Sequence, residues 1–166
     1  EQIALFASTF LSETRGVKDP LVGLINIGSE PGKGREQDKE TFKILTDNPK
    51  INFYGNVEPT EILSTKCDIL VSDGFSGNLV MKTIEGTAKA VGGLLKENIK
   101  SSLGGMIGAV FMKKSLRKFK DTLGADEVGG ALLFGVDGVV VKAHGNSKAV
   151  AVCKAIDLCI SGIKGG

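Results

Sequence analysis

Apolar positions along the chain change period several times, and each change marks an element. Ile3, Phe6, Ala7, Phe10 and Leu11 recur at the i, i+3, i+4, i+7, i+8 spacing of an amphipathic helix over residues 1–13. Leu21, Val22, Gly23, Leu24, Ile25, Asn26 and Ile27 then form a short, largely apolar strand. Residues 36–48 predict a polar helix whose few apolar positions are Phe42, Ile44 and Leu45, with Pro49 just past its end. Residues 51–55 read as a strand, residues 59–63 as a brief helix opened by Pro59, and residues 68–72 as a β-branched strand. Short apolar strands alternating with helices in the order β-α-β-α-β predict an α/β fold with a parallel sheet covered on both faces. In such folds ligands bind at the carboxyl ends of the strands.

Polar loops sit at those ends. The first strand runs into Gly28-Ser29-Glu30-Pro31-Gly32-Lys33-Gly34, which opens the polar helix. Its glycines let backbone amides approach a ligand, and Lys33 beside a helix N-terminus adds a full charge to the dipole, so phosphate is the expected guest. Two familiar templates fail. A Walker A loop has four residues between its glycines and Ser or Thr after the lysine, and the dinucleotide fingerprint requires a third glycine where Gln37 stands. A tight turn with a solvated lysine explains the loop alone equally well. The second loop, Asp73-Gly74-Phe75-Ser76-Gly77-Asn78, follows the strand at 68–72 and precedes a helical stretch over 79–100. It concentrates short hydrogen-bonding groups; the plain alternative is that Asp73 and Asn78 cap the helix. A third cluster, from Val139 to Lys142 and on to His144, Asn146 and Ser147, again reads as strand, polar loop and helix. His144 is the sole histidine, either a catalytic group or a structural hydrogen-bond partner.

Composition narrows the class. The 166 residues are enough for one domain with a sizeable core, and 42% hydrophobic residues with 23 glycines suit an α/β pattern rich in tight turns. The first helix starts without a methionine or an N-cap, so the chain is expected to be part of a longer polypeptide, cut before or inside that helix. Cys67, Cys153 and Cys159 lack disulfide or zinc spacing and read as small buried hydrophobes in a reducing cytoplasm. The longest apolar stretch, residues 103–112, is half of the ~20 residues that cross a bilayer.

Charge adds a partner surface. Residues 96–120 hold Lys96, Lys100, Lys113, Lys114, Arg117, Lys118 and Lys120 against Glu97 alone, whereas the whole chain carries only +2. Concentrated positive charge indicates an anionic partner. Leu103, Met106, Ile107, Val110 and Phe111 lie within this frame, as in a membrane-surface element; the alternative is a helix-helix core at a dimer interface with solvated lysines. Nucleic acid is disfavoured, because Phe111 and Phe119 are the only aromatics interleaved with the basic residues.

Taken together, the segments VGLINIGSEPGKG, DILVSDGFSGNLVMKTIEG and VVVKAHGNS, with GNVEPTEIL among them, resemble the bacterial phosphate acyltransferases of phospholipid synthesis, the PlsX type. The resemblance covers essentially the whole chain and implies the C-terminal portion of a longer enzyme. It implies transfer of a long acyl chain from acyl carrier protein to inorganic phosphate, and a three-layer α/β/α sandwich like that of isocitrate and isopropylmalate dehydrogenases. It further implies one α/β domain in which residues 79–123 form a helical dimerisation and membrane-contact segment of a homodimer. Lys33 and Asn78 match the family's proposed catalytic positions, and residues 103–112 its apolar bundle tip. Gly104, Gly105 and Gly108 are local departures that weaken helix propensity there.

The residues themselves suit that chemistry. A thioester is already activated and phosphate is already an anion, so no triad is needed to deprotonate a hydroxyl. The demands are to hold phosphate and to stabilise the tetrahedral oxyanion. Lys33 with the amides from Gly32 to Gly34 suits the first; the Asn78 amide, or backbone amides near Gly77, suits the second. Ser76, Lys142 and His144 are further phosphate contacts, with Lys142 or His144 also placed to protonate the departing thiolate. Lys113, Lys114, Arg117 and Lys118 suit acidic carrier protein or anionic lipid. Neither metal nor organic cofactor is expected. The competing readings are a short-chain acyl-coenzyme A phosphate acyltransferase resembling phosphotransacetylase and a non-catalytic dimerisation or membrane-binding module.

Overall fold

The computed structural model describes residues 1–115, 130–143, 145 and 149–164. Helix α1 (Gln2–Arg15) stops where Gly16 takes the left-handed conformation, φ 67°, and its amide bonds back to the last turn. Strand β1 (Leu21–Ile25), helix α2 (Glu36–Asp47), strand β2 (Asn52–Val57) and strand β3 (Ile69–Val71) follow. The three strands form one parallel sheet in the order β2-β1-β3, with Leu21 opposite Asn52 and Val22 opposite Ile69. Consecutive strands β2 and β3 therefore lie on opposite sides of β1.

Central position explains the strand's composition. Val22, Gly23 and Leu24 of β1 are all buried, as a strand covered on both faces demands. Gly23 is there for space: a Cβ at that position would stand 2.7 Å from Val57 Cγ2 and 3.0 Å from Cys67 Sγ and Leu70 Cδ2. Ala4 of α1, Val22, Leu24, Leu45 of α2, Ile51 and Ile69 make the core, with Leu5, Leu11, Phe42 and Phe53 packed around it.

Several expectations are corrected. Residues 59–63 form turns, not a helix: Glu61 N bonds Glu58 O and Ser64 N bonds Glu61 O, and so short a segment does not sustain helical propagation. The second long helix, α3, spans Gly74–Lys100 rather than starting at residue 79, because Asp73 already caps it. Cys153 is exposed, and Cys67 and Cys159 are only half-buried, so none is a core residue. Strand β5 (Val140–Lys142) does not extend the parallel sheet; it pairs antiparallel with β4 (Ala131–Leu133) in a second sheet. Helix α5 (Ala149–Lys164) packs on that hairpin and on α1, burying Ala151 and Ala155. The fold is thus α/β with a parallel main sheet.

Helix α3 is of another kind. Its 27 residues extend for about 40 Å at 1.5 Å per residue, and none of them is buried. Helix α4 (Leu103–Phe111) packs back against it after Ser102, whose hydroxyl accepts from the Gly105 amide. Val110 and Phe111 are 72% and 85% exposed.

Candidate functional site

Two buried asparagines organise the glycine-rich loop. Asn26 follows β1 and Asn56 lies near the end of the neighbouring β2, where two hydrophobic side chains would be the default. Asn26 Nδ2 donates to Asn56 Oδ1 at 3.1 Å and to the Lys33 carbonyl at 3.0 Å, while its Oδ1 accepts from the Ile27 amide. Asn56 Nδ2 donates to the Glu30 carbonyl at 2.8 Å. The pair thus grips the loop at carbonyls on either side of Pro31 and Gly32. Buried amides of this sort are costly unless satisfied, so their full bonding fixes a single loop shape. Gly34 completes it with φ 91°, and a Cβ there would stand 2.5 Å from Asn26 Oδ1.

The Lys33 side chain is half-exposed, and its ammonium lies 3.9 Å from Glu30 Oε1. Its main chain is anchored through the carbonyl and through its amide, which donates to Glu30 O. A rigid backbone below a solvent-facing cation is suited to an incoming anion. Gly32 has nothing within 4 Å of the place its Cβ would occupy, so the loop's outer side is open.

The second segment is a helix start. Asp73 is the N-cap of α3: Oδ1 accepts from the Phe75 and Ser76 amides at 3.0 and 2.9 Å, and Oδ2 from the Ser76 hydroxyl at 2.7 Å. The Gly77 amide donates to the Asp73 carbonyl. The amides of Phe75, Ser76 and Gly77 thus all donate to Asp73. Gly77 packs closely, since a Cβ there would come 2.5 Å from Ser72 Oγ. Capping is the role observed for Asp73, while Asn78 stands exposed one turn into the helix.

The two segments meet through Arg35. Its Nη2 donates to Asp73 Oδ2 at 2.6 Å and to Asp38 Oδ1 at 2.9 Å, and its Nε to Asp38 Oδ2 at 3.0 Å. Asp38 also accepts from the Arg35 amide at the start of α2. The N-termini of α2 and α3 are thereby tied side by side at the carboxyl ends of β1 and β3, and Asp38 and Asp73 already supply the negative charge that their dipoles favour. The Ser76 amide and the Arg35 guanidinium hold the Asp73 carboxyl well below the usual carboxylate range. The Arg35 guanidinium does the same to Asp38, and the two carboxylates in turn hold Arg35 protonated above its ordinary range. Water screens this exposed network, so its value lies in geometry more than in stability.

Lys142 ends β5 on the second sheet and is exposed. His144, Asn146, Ser147, Arg117, Lys118 and Lys120 lie outside the described residues, as does the Leu103 side chain. Met106, Ile107, Val110 and Phe111 share the exposed surface of α4, with Lys113 and Lys114 exposed just beyond. Among the described residues no helix is long and apolar enough to cross a membrane. Asn26, Asn56 and Arg35 are the site residues that sequence reasoning misses. The available signal for the first two was an asparagine at or just after the end of each of two strands.

Residues 1–165 match the family described as "Fatty acid synthesis protein". The chain is similar to "Phosphate acyltransferase" of Acholeplasma laidlawii, 59% identical over 92% of this chain and 46% of that protein. It is also similar to proteins of the same name from Thermosipho melanesiensis, at 46% identity over 90% of this chain and 45% of the relative, and from Bacillus thuringiensis, at 44% over 93% and 47%. The chain spans about half the length of the curated relatives it matches.

Proposed function

The chain belongs to the fatty acid synthesis protein family, and on that premise we propose that the whole protein transfers a long-chain acyl group from acyl carrier protein to inorganic phosphate. The observation that carries this reading is the Arg35–Asp73 contact, which joins the glycine-rich loop to the start of α3. Lys33 and the open side of its loop hold the phosphate. A phosphate oxygen attacks the thioester carbonyl, the carbonyl oxygen gains charge, and the Asn78 carboxamide donates to it. Collapse breaks the carbon–sulfur bond and gives acyl phosphate and a thiolate, which takes up a proton; Lys142 and His144 are the candidates for that proton and for further phosphate contacts.

The finer features follow the same reading. The main sheet belongs to a three-layer α/β/α domain of the isocitrate dehydrogenase type. Residues 79–123 form the dimer bundle of a homodimer, and Met106, Ile107, Val110 and Phe111 touch an anionic membrane peripherally from the cytoplasmic side. Lys113, Lys114, Arg117 and Lys118 attract acidic carrier protein.

The test is incubation of the full-length protein with palmitoyl carrier protein and phosphate, trapping acyl phosphate with hydroxylamine. Palmitoyl hydroxamate is expected, with a rate about 10²–10³-fold lower in Lys33→Ala and in Asn78→Ala. Hydroxamate from acetyl coenzyme A alone would establish the short-chain activity in its place, and none from either donor would favour a non-catalytic module. Unchanged rates in both variants would refute the site assignment.

A further inference from the structure

Arg35 is the cation that makes the contact between the two segments, so by type it is an obvious phosphate ligand. Its bonding says otherwise. Nε and Nη2 clasp the Asp38 carboxylate in a fork, and Nη2 reaches on to Asp73 at 2.6 Å. One positive charge is therefore shared by two carboxylates, leaving a local excess of negative charge. Asp73 is equally committed, with Phe75, Ser76 and Arg35 all on its two oxygens. Lys33, two residues away, has Glu30 at 3.9 Å as its ion-pair partner among the described residues, and its side chain is half-exposed.

We infer that Arg35 is a positioning residue: it braces the Lys33 loop against the N-cap of α3 and thereby sets the distance between Lys33 and Asn78, without itself binding phosphate. The inference deepens the acyl-transfer reading and rests on it for its kinetic consequence. Asp38 fixes the guanidinium to α2, and Asp73 carries that placement into α3, whose first turns bear Asn78. A flexible lysine reaches one of these carboxylates but cannot span both with a planar fork. Loss of the brace lets the two catalytic groups drift, and a displacement of about 1 Å costs on the order of 10²-fold in rate.

The experiment uses the full-length protein with Arg35→Ala, Arg35→Lys, Asp73→Asn and the Arg35→Ala/Asp73→Asn double variant. Asp73→Asn keeps an oxygen to cap the helix while removing the charge that Arg35 holds. Expected in the palmitoyl hydroxamate assay is a kcat loss of about 10- to 100-fold in Arg35→Ala, with KM for phosphate within about threefold of wild type. The double variant should be no worse than the poorer single variant, because both act through one contact, and Arg35→Lys should recover part of the loss. A tenfold or greater rise in KM for phosphate at unchanged kcat would make Arg35 a ligand and overturn the inference, as would multiplying losses in the double variant. Hydrogen exchange supplies a readout independent of activity: amides of Gly34 and of Phe75 to Gly77 should exchange at least about tenfold faster in Arg35→Ala. Unchanged exchange overturns the brace even where Arg35→Ala loses activity. Absence of any acyl phosphate from the wild type would instead sink the acyl-transfer reading, leaving exchange to decide the brace.

Discussion

The sheet with its two loops and the α3–α4 arm are built by opposite rules. Around β1, apolar side chains are buried and polar ones are bonded: Val22 and Leu45 are inaccessible to solvent, and Asn26 and Asn56 spend their amides on named partners. Along the arm no residue of α3 is buried, and Val110 and Phe111 face solvent. The first region contains its own reasons for its shape. The second leaves its apolar side chains exposed, so the same kind of residue has different value in the two places.

The sharpest contrast is in stability. Leu45→Ala should cost about 2–5 kcal/mol in urea unfolding, since it opens a cavity in the closed core. A cost near zero would mean that the core is as loose as the arm. Asn26→Ala comes next, at about 1–3 kcal/mol, because it strands the Lys33 carbonyl and the Asn56 amide oxygen. It should also lower acyl phosphate formation, as the loop loses its grip.

Acid provides a gentler test of the loop region. Asp73 and Asp38 have folded-state values below the ordinary carboxylate value, so their ionised forms favour the folded state. That contribution is complete above about pH 4 and is lost as pH falls further toward the depressed values. Unfolding measured at pH 5 and at pH 3 should therefore show a smaller acid penalty in Asp73→Asn than in wild type. An equal penalty would remove Asp73 from the linkage. Smallest of all should be the stability change from replacing Met106, Ile107 and Phe111 by serine, within about 0.5 kcal/mol per site because all three are exposed surface positions. Binding to anionic vesicles should nevertheless be abolished; retained binding would detach the arm from any membrane role.

Legibility in the sequence divides along chemical lines. The helix at α1, the strand β1, the helix α2 and the glycine-rich loop were readable because period and punctuation are local properties. The brace was not, since Arg35 and Asp73 are 38 residues apart and each looks like an ordinary charged loop residue. Asn26 and Asn56 were hidden for a related reason: an asparagine after a strand usually signals a turn, and only the parallel pairing of β1 with β2 brings the two together. Among the core positions, Phe42, Ile44 and Leu45 looked alike, yet Leu45 is fully buried while Ile44 is 39% exposed. Strand β5 was readable, but β4 and its antiparallel pairing were not, because Ala131–Leu133 alone carries too little period and pairing is not a local property.

The central claim is that the Lys33 loop and the start of α3 form one receptor for an oxyanion. Titration of inorganic phosphate into isotope-labelled full-length protein, followed by NMR, tests it most directly. The account predicts that the Gly32 and Gly34 amides and the Asn78 side-chain amide shift together with a single dissociation constant, and that Lys33→Ala weakens all three. Shifts confined to one of the two segments, or two unrelated dissociation constants, would contradict it.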